Sequence, residues 1–184
     1  GHSDGILNLL SADAKLISTD VDTVAFNYSK KKFSNDLRVK LYNLNFQKID
    51  IMAKIETVNS FDGIITDLGV SSYQLDNPSA GFTYRQEAKL DFRMDKSIAV
   101  TASDVINSYR EDDIADIIYK YGEEKNSRKI ASSICKTREQ KKINTTLELY
   151  NIISEITPER YLLKTLSRVF QALRIYVNDE LELL

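Results

Sequence analysis

The sequence predicts an α/β fold, in which an open parallel sheet with helices is followed by a purely helical stretch. Up to residue 68, apolar residues alternate between helical spacing and the short continuous runs typical of buried strands. One Ile-rich run, residues 61–68, breaks abruptly into small and polar residues, as a parallel strand does where it leads into a loop. From Thr101 onward, apolar residues recur only at helical spacing.

The first part of the chain alternates regularly between the two kinds of element. Helices are predicted at residues 6–10, 24–32 and 49–55, and strands at residues 15–20, 39–43 and 61–68. Strands that alternate with helices favour right-handed crossovers and a parallel sheet. Ligands of such sheets bind beyond the carboxyl ends of the strands.

The second part carries helix boundary signals. Gly122 is predicted to stop one helix, Thr145 and Glu148 form a capping-box pair at the start of another, and Pro158 ends that helix. A last long helix is predicted to extend to Leu181. We therefore predict an α/β core in residues 1–96, a helical insert in residues 97–163 and a return helix of the core in residues 164–184.

Composition limits the possible functions. The 184 residues carry a net charge of −2, which argues against a uniformly basic nucleic-acid binder and leaves only local basic patches. Because His2 and Cys135 are the only residues of their types, the sequence predicts neither a His or Cys metal site nor a disulfide framework. With no apolar run of ~20 residues and no signal-peptide pattern, it predicts a cytoplasmic protein without membrane contact.

Five sequence words carry a resemblance to a known family: DLGVSSYQLD, GFTYR, LDFRMD, YGEE and FQALRIYVNDEL, in this order. Together they resemble the bacterial ribosomal RNA small-subunit methyltransferase H family over nearly the whole chain. The resemblance implies a Rossmann-like class I methyltransferase sheet. It also implies S-adenosylmethionine as cofactor and methylation of the exocyclic N4 of a cytidine in the decoding region of 16S rRNA, with the small ribosomal subunit as partner.

The sequence departs from the family pattern at several places. Lys89 stands where the family has a proline, and Phe92 stands where it has a methionine. The first strand and the last strand of the family sheet have no counterpart in the chain. We therefore expect a truncated piece that binds S-adenosylmethionine poorly until both ends are restored.

Two residues at predicted strand ends match family contacts to the adenosyl group. An acid at the position of Asp20 can accept hydrogen bonds from ribose hydroxyls, and Phe46 could pack against adenine. The alternatives are that Asp20 is a helix cap or a solvated acid, with Asp22 competing for the same role, and that Phe46 is a core residue.

Four further cofactor candidates flank these strands. Gly1 and His2 resemble the end of the family's Gly-rich turn, although they could be a cloning remnant together with Ser3. Asp67 could accept from the ammonium of the methionine moiety, and Gln74 could donate and accept there. Asp67 is also the candidate catalytic residue, because an acceptor near this turn could orient the cytosine amine. Without the resemblance, Gln74 is interpreted as a surface residue.

The candidates for RNA contact combine aromatic rings and cations: Phe82, Tyr84, Arg85, Arg93, Arg128 and Lys129. Rings can stack on unpaired bases while cations bind phosphates. The alternative for the first group is that Phe82 belongs to the core and that Arg93 pairs with Asp91 or Asp95. Arg128 and Lys129 belong to a basic patch that also includes Lys136, Arg138, Lys141 and Lys142, whose alternative role is a solvated helix face.

Two rival functions remain. One is a non-catalytic interaction module that keeps the fold without the cofactor pocket. The other is a dinucleotide-binding oxidoreductase, which the lack of an intact GxGxxG disfavours. Methylation at nitrogen needs no covalent cysteine adduct, and Cys135 is predicted to lie in the core beside Ile134. The oligomeric state cannot be read from the sequence.

Overall fold

The structure is a computed structural model that describes residues 3–66, 69–70 and 81–181. The chain divides into two compact units, and the boundary falls between Gly69 and Val70.

The first unit contains a small parallel sheet and three short helices. Its elements are α1 (Ser3–Leu9), β1 (Leu16–Thr19), α2 (Thr23–Lys32), β2 (Val39–Tyr42), a 3-10 turn (Phe46–Lys48) and α3 (Ile49–Ile55). The two strands pair in parallel, with Leu16 opposite Val39 and Thr19 opposite Tyr42. The predicted parallel pairing of these strands is confirmed, and their carboxyl ends lie at the same edge.

The predicted third strand is wrong for its described part. Residues 61–66 have no strand conformation, and the sheet of the described residues consists of β1 and β2 alone. Ile64 and Ile65 are 65% and 69% exposed. A strand forms only where its backbone groups find a ladder partner, so the apolar run by itself is not enough.

The second unit is helical, as predicted from Thr101 onward. Its helices are α4 (Ala102–Ser108), α5 (Glu111–Gly122), α6 (Ser127–Gln140), α7 (Thr146–Ile156) and α8 (Glu159–Asn178). The capping box of Thr145 and Glu148 at the start of α7 is confirmed. The last helix ends at Asn178 instead of Leu181, because Asp179 adopts a left-handed conformation and closes it.

Gly122 has a different role from the predicted helix stop. The residue that closes α5 is Glu123, with a φ of 52°. Gly122 is instead the point where α5 approaches α8, since a Cβ there would lie 2.5 Å from the carbonyl oxygen of Arg168. The glycine therefore permits close helix packing.

The hydrophobic core lies in the second unit. Buried residues of α4 to α8 pack together with Phe82, Leu90 and Phe92 from the preceding loops. The loops are joined to α7 because the Ala88 carbonyl accepts from the Thr146 N–H at 2.9 Å and the Leu90 N–H donates to the Asn144 carbonyl at 2.9 Å. The described part of the first unit buries only two large apolar residues, Leu7 and Met52. The domain boundaries at residues 96 and 163 stay predictions.

None of the helices that the structure describes combines the length and the apolar composition needed to cross a membrane.

Candidate functional site

Asp20 lies at the carboxyl edge of the parallel strand pair. It directly follows β1, and its N–H donates to the Tyr42 carbonyl at 3.1 Å, which continues the ladder by one residue. Asn43, which follows β2, donates from its amide to the carbonyls of Asp20 at 2.7 Å and Val21 at 3.3 Å. The backbone that carries the Asp20 carboxylate is thus fixed to the end of β2.

The hydrogen bonds show which of the two acids, Asp20 or Asp22, caps the start of α2. Asp22 is the N-cap of α2, since its carboxylate accepts from the Val24 N–H at 2.8 Å. The Asp20 carboxylate accepts instead from the Asp22 N–H at 2.9 Å. Asp20 is therefore not the helix cap.

The Asp20 carboxyl is partly shielded although the residue is exposed overall. Its pKa is raised, first because surrounding protein atoms desolvate the charged form; the charge of Asp22 adds to this, and the Asp22 N–H opposes it. A carboxylate that is partly desolvated and held by one backbone N–H is suited to accept hydrogen bonds from ligand hydroxyls.

Phe46 follows the carboxyl end of β2, four residues beyond Tyr42. It begins the 3-10 turn that Asn45 caps by accepting from the Gln47 N–H at 3.0 Å. The Leu44 carbonyl just before it accepts from the Thr19 hydroxyl. The Phe46 ring is half-buried, so it is neither a core residue nor a fully solvated one.

The role of Asn43 is not predicted from the sequence. An Asn after a strand is typical of a turn, and no pattern in the sequence marks it as the clamp of the neighbouring turn. Four predicted cofactor residues, Gly1, His2, Asp67 and Gln74, lie outside the described residues. The described residues contain no cluster of acids, His or Cys that could hold a metal ion.

The loops before α4 bring together several of the predicted RNA-contacting residues. Phe82 is 6% exposed, and its ring stacks on Phe92 at a centroid distance of 5.9 Å. Phe92 is 1% exposed and also contacts the Phe170 ring at 5.2 Å. Phe82 therefore lies in the core, where its ring cannot reach a base in this conformation.

Arg93 is occupied within its own loop. Its guanidinium binds both carboxylate oxygens of Asp91, at 2.7 Å and 3.1 Å, and also donates to the Ile98 carbonyl at 2.7 Å. Lys96 reaches the same carboxylate at 3.2 Å. Burial raises the pKa of Asp91, but the hydrogen bonds from Arg93 and Lys96 outweigh it and lower the pKa to about 2. The alternative role of Arg93, an internal pair with Asp91, matches this geometry.

Tyr84 and Arg85 are the surface residues of this region. The Tyr84 ring packs edge-on against Phe170 at 5.2 Å, and its hydroxyl lies 3.2 Å from the Ser167 hydroxyl. With Phe82 and Thr83 they line a recess of about 60 Å³, far smaller than a typical ligand pocket of ~300–1,000 Å³. Arg85 is exposed.

The basic patch divides into surface and structural cations. Arg128, Lys129, Lys136 and Lys142 are exposed. Arg138 donates to the Ile106 carbonyl at 2.7 Å near the end of α4, and Lys141 pairs with Glu148 at 2.6 Å. Arg138 and Lys141 are thus tied to neighbouring helices, which sequence reasoning could not anticipate.

A larger hollow, of about 370 Å³, contains none of the predicted site residues. It is lined by Tyr109, Asp113, Asp116, Ile117 and Tyr176. Tyr176 donates to the Tyr109 hydroxyl at 3.2 Å, and burial together with this contact raises the pKa of Tyr176 to about 12. Its acidic lining would repel phosphate groups.

The whole sequence matches one protein family. The MraW methylase family matches residues 1–184. The chain belongs to this family.

Curated relatives align with the chain over all or nearly all of its length. A protein named Ribosomal RNA small subunit methyltransferase H from Fusobacterium nucleatum is 45% identical over 184 residues, which is 100% of this chain and 59% of the relative. Proteins of the same name from Caldicellulosiruptor saccharolyticus and Ruthia magnifica are 43% and 38% identical and cover 99% of the chain. The chain spans about 60% of the length of these curated relatives.

Membership in the MraW methylase family makes the chain part of a methyltransferase family. The predicted resemblance is confirmed. Methyltransferases generally use S-adenosylmethionine, and the described edge of the sheet fits its adenosyl group chemically. Asp20 offers an acceptor for hydroxyls, and Phe46 offers an aromatic surface on the adjacent strand end.

Proposed function

We propose that this chain belongs to an S-adenosylmethionine-dependent enzyme that methylates the exocyclic N4 of a cytidine in the decoding region of 16S rRNA. The observation that carries this proposal is the fixed Asp20 carboxylate at the carboxyl edge of β1, in a chain that the family matches from residue 1 to 184. The relatives' shared name, which specifies small-subunit ribosomal RNA, supports the substrate class.

The residues at the sheet edge would bind the adenosyl part of the cofactor. In this proposal Asp20 accepts from the ribose hydroxyls, and Phe46 packs against the adenine ring. Gly1 and His2 approach the cofactor through their backbone, and Asp67 and Gln74 bind its methionine moiety. The cofactor supplies an activated methyl group on its sulfonium centre.

The protein's part in the chemistry is to orient the nucleophile. The N4 lone pair of cytosine is delocalised into the ring, so an acceptor must hold the amine in line with the methyl group. Asp67 is the proposed acceptor. Cys135 has no place in the reaction, since it is buried in α6 and burial raises the pKa of its thiol.

The RNA would meet the second unit through its surface cations and the Tyr84–Arg85 turn. Arg128, Lys129 and Lys136 are exposed on α6 and can bind phosphates electrostatically. We propose the cytoplasm as the location, because the small ribosomal subunit is assembled there.

Calorimetric titration with S-adenosylmethionine, S-adenosylhomocysteine and NAD tests the cofactor assignment. We expect the first two to bind, although weakly to residues 1–184 by themselves, and NAD not to bind. We expect Asp20→Ala to weaken cofactor binding by about 1–3 kcal/mol, as for a lost charged hydrogen-bond partner. Asp36→Ala is the matched control, because Asp36 pairs with Arg38 immediately before β2, at the opposite edge.

Equal affinity of the wild type and Asp20→Ala would remove Asp20 from the site. RNA binding without any S-adenosylmethionine binding would favour an interaction module instead of an enzyme. NAD binding would favour the oxidoreductase.

A further inference from the structure

Phe92 has an unusual backbone conformation. Four non-glycine residues in the described part of the chain have a positive φ: Thr57, Phe92, Glu123 and Asp179. Glu123 and Asp179 close helices, where this conformation is common, and Thr57 directly follows the turn that ends α3. Phe92, with a φ of 63°, lies in a loop. A bulky residue stays in this region only where its surroundings hold it, and such strain is concentrated at functional sites.

Asn178, the last residue of α8, holds the backbone immediately after this strained residue. Its amide nitrogen donates to the Phe92 carbonyl at 2.7 Å, and its oxygen accepts from the Met94 N–H at 2.7 Å. The same nitrogen donates to the Arg174 carbonyl at 2.9 Å, which fixes the side chain to its own helix. Asn178 is 8% exposed.

A second clamp acts on the residues that flank Phe92. The carboxylate of Asp91 and the guanidinium of Arg93 form a two-point ion pair around it. Arg93 also donates to the Ile98 carbonyl, so the rest of the loop is closed onto the same group. Several hydrogen bonds and an ion pair therefore fix the backbone of this loop independently.

The strained conformation has a consequence for the neighbouring loop. It directs the Phe92 ring into the core, where the ring stacks on Phe82. The two loops touch at Gly81 (φ 80°), because a Cβ there would lie 2.9 Å from the Lys89 carbonyl oxygen. Phe82 is separated by one residue from Tyr84, which α8 also contacts through Ser167 and Phe170. The end of α8 and the Tyr84–Arg85 turn are thus connected through a continuous series of contacts between residues.

We propose that Asn178 is a positioning residue for RNA recognition, which holds Phe92 in its left-handed conformation and thereby sets the Tyr84–Arg85 turn that faces the RNA. The inference rests on the proposed function, since it takes that turn as part of the rRNA-binding surface. Asn178 touches neither RNA nor cofactor in this account.

The test compares Asn178→Ala with Asn107→Ala. Asn107 is a matched control, since its amide donates to the Ile143 carbonyl at 2.8 Å and its oxygen accepts from the Ile143 N–H at 3.0 Å. Both variants lose an asparagine that bridges backbone groups, buried at position 178 and half-buried at position 107. We would measure affinity for a decoding-region oligoribonucleotide, affinity for S-adenosylmethionine, amide exchange at Met94 and thermal unfolding.

We expect Asn178→Ala to weaken RNA binding about tenfold, as for the loss of two backbone hydrogen bonds that order a contact turn. Exchange of the Met94 amide should rise at the same time, with cofactor affinity unchanged. We expect Asn107→Ala to lower the unfolding temperature to a similar extent and to leave RNA affinity within about twofold.

A second variant distinguishes the loss of this contact from a general loss of folding. Asn178→Asp keeps the acceptor for the Met94 N–H but places a carboxylate oxygen against the Phe92 carbonyl. It should weaken RNA binding as Asn178→Ala does while α8 stays folded. If the wild type binds RNA and both Asn178 variants bind it as tightly as the wild type, or no more weakly than Asn107→Ala, this inference alone is overturned. A wild type that binds cofactor but no RNA overturns the RNA role of the turn.

Discussion

Asp91 illustrates how one residue can hold a loop through charge. Its carboxylate accepts from Arg93 and lies 3.2 Å from the Lys96 ammonium, while the Asp91 carbonyl accepts from the Ala102 N–H at 2.9 Å at the start of α4. Because both cations favour the charged form, the carboxylate stays ionised at pH values well below the ordinary pKa of an aspartate. The ion pair of Asp91 and Arg93 therefore keeps its charges at all ordinary pH values.

The pH dependence of stability follows from the sign of this shift. The folded pKa of about 2 lies below the ordinary value of 3.8, so the stabilisation is fully present above about pH 5 and is lost as the pH falls from about 4 toward 2. We expect the difference in unfolding free energy between the wild type and Asp91→Asn to shrink over that interval. Denaturant unfolding at a series of pH values measures it.

The exposed Asp116→Asn on α5 serves as the control for this series. A difference between wild type and Asp91→Asn that is the same at pH 6 and pH 2.5 would show that the ion pair does not stabilise the loop.

At the residue scale, the sequence identified the acids but could not assign their partners. A helix cap was one alternative role of Asp20, and the structure shows that Asp22 caps α2. Arg93 was a candidate for RNA contact and for an ion pair, and it forms the pair. Partner choice depends on distances across turns that residue types do not encode.

The cationic side chains of helix α6 differ in their exposure to solvent. Lys129 donates to the Ile156 carbonyl at 3.3 Å while remaining exposed, and Arg128 and Lys136 are exposed as well. Arg138, in contrast, is half-buried against α4. A phosphate backbone would meet the first three, whereas Arg138 serves the packing of two helices.

We expect simultaneous replacement of Arg128, Lys129 and Lys136 by Gln to weaken RNA binding and to reduce its salt slope by about 2. Fluorescence anisotropy at several salt concentrations measures both quantities. Replacement of Arg110, Arg160 and Lys164 by Gln removes the same charge from other exposed positions of this unit and is the control. Equal losses in the two triple variants would indicate a general charge effect without a specific surface.

The packing of α5 on α8 depends on a single small residue. A methyl group at position 122 would lie 2.5 Å from the Arg168 carbonyl oxygen and 3.1 Å from the Ala172 Cβ. We expect Gly122→Ala to lower the unfolding free energy by about 1–3 kcal/mol, because backbone must move to admit it. Chemical denaturation followed by circular dichroism measures the change.

Gly63→Ala is the control for this substitution, since nothing lies within 4 Å of a Cβ there. Its effect should stay below ~1 kcal/mol. If Gly122→Ala unfolds at the same denaturant concentration as the wild type, the two helices can separate without cost and the close approach has no energetic role.

In the whole molecule, the two units differ in the number of apolar side chains that they bury. The described part of residues 1–69 buries Leu7 and Met52, whereas the second unit buries a continuous cluster from five helices. Each large buried side chain contributes about 1.5–3 kcal/mol, and ordering each residue costs about 1–2 kcal/mol. Two such side chains offset the ordering of only a few residues.

We expect residues 70–184, produced alone, to keep a cooperative thermal transition with a helical spectrum. Residues 1–69, produced alone, should lack such a transition. Circular dichroism and calorimetry on both fragments measure this. A cooperative transition in the short fragment would show that its stability comes from more than its apolar burial.

Most local elements and the family could be predicted from the amino-acid sequence alone. Apolar periodicity and caps were sufficient for β1, β2 and the helices α5, α6 and α7, because these signals act within a few residues along the chain. The five sequence words were sufficient for the family, since their order reflects common descent.

Three features depend on tertiary contacts: which apolar run becomes a strand, which arginine forms an internal ion pair, and why a glycine is needed at position 122. Residues 61–66 read as a strand but have no ladder partner among the described residues. Asn178 and Phe92 are 86 positions apart, yet a hydrogen bond of 2.7 Å joins them. Such contacts depend on how whole helices pack, and packing is set by the summed burial of many side chains instead of by any local pattern.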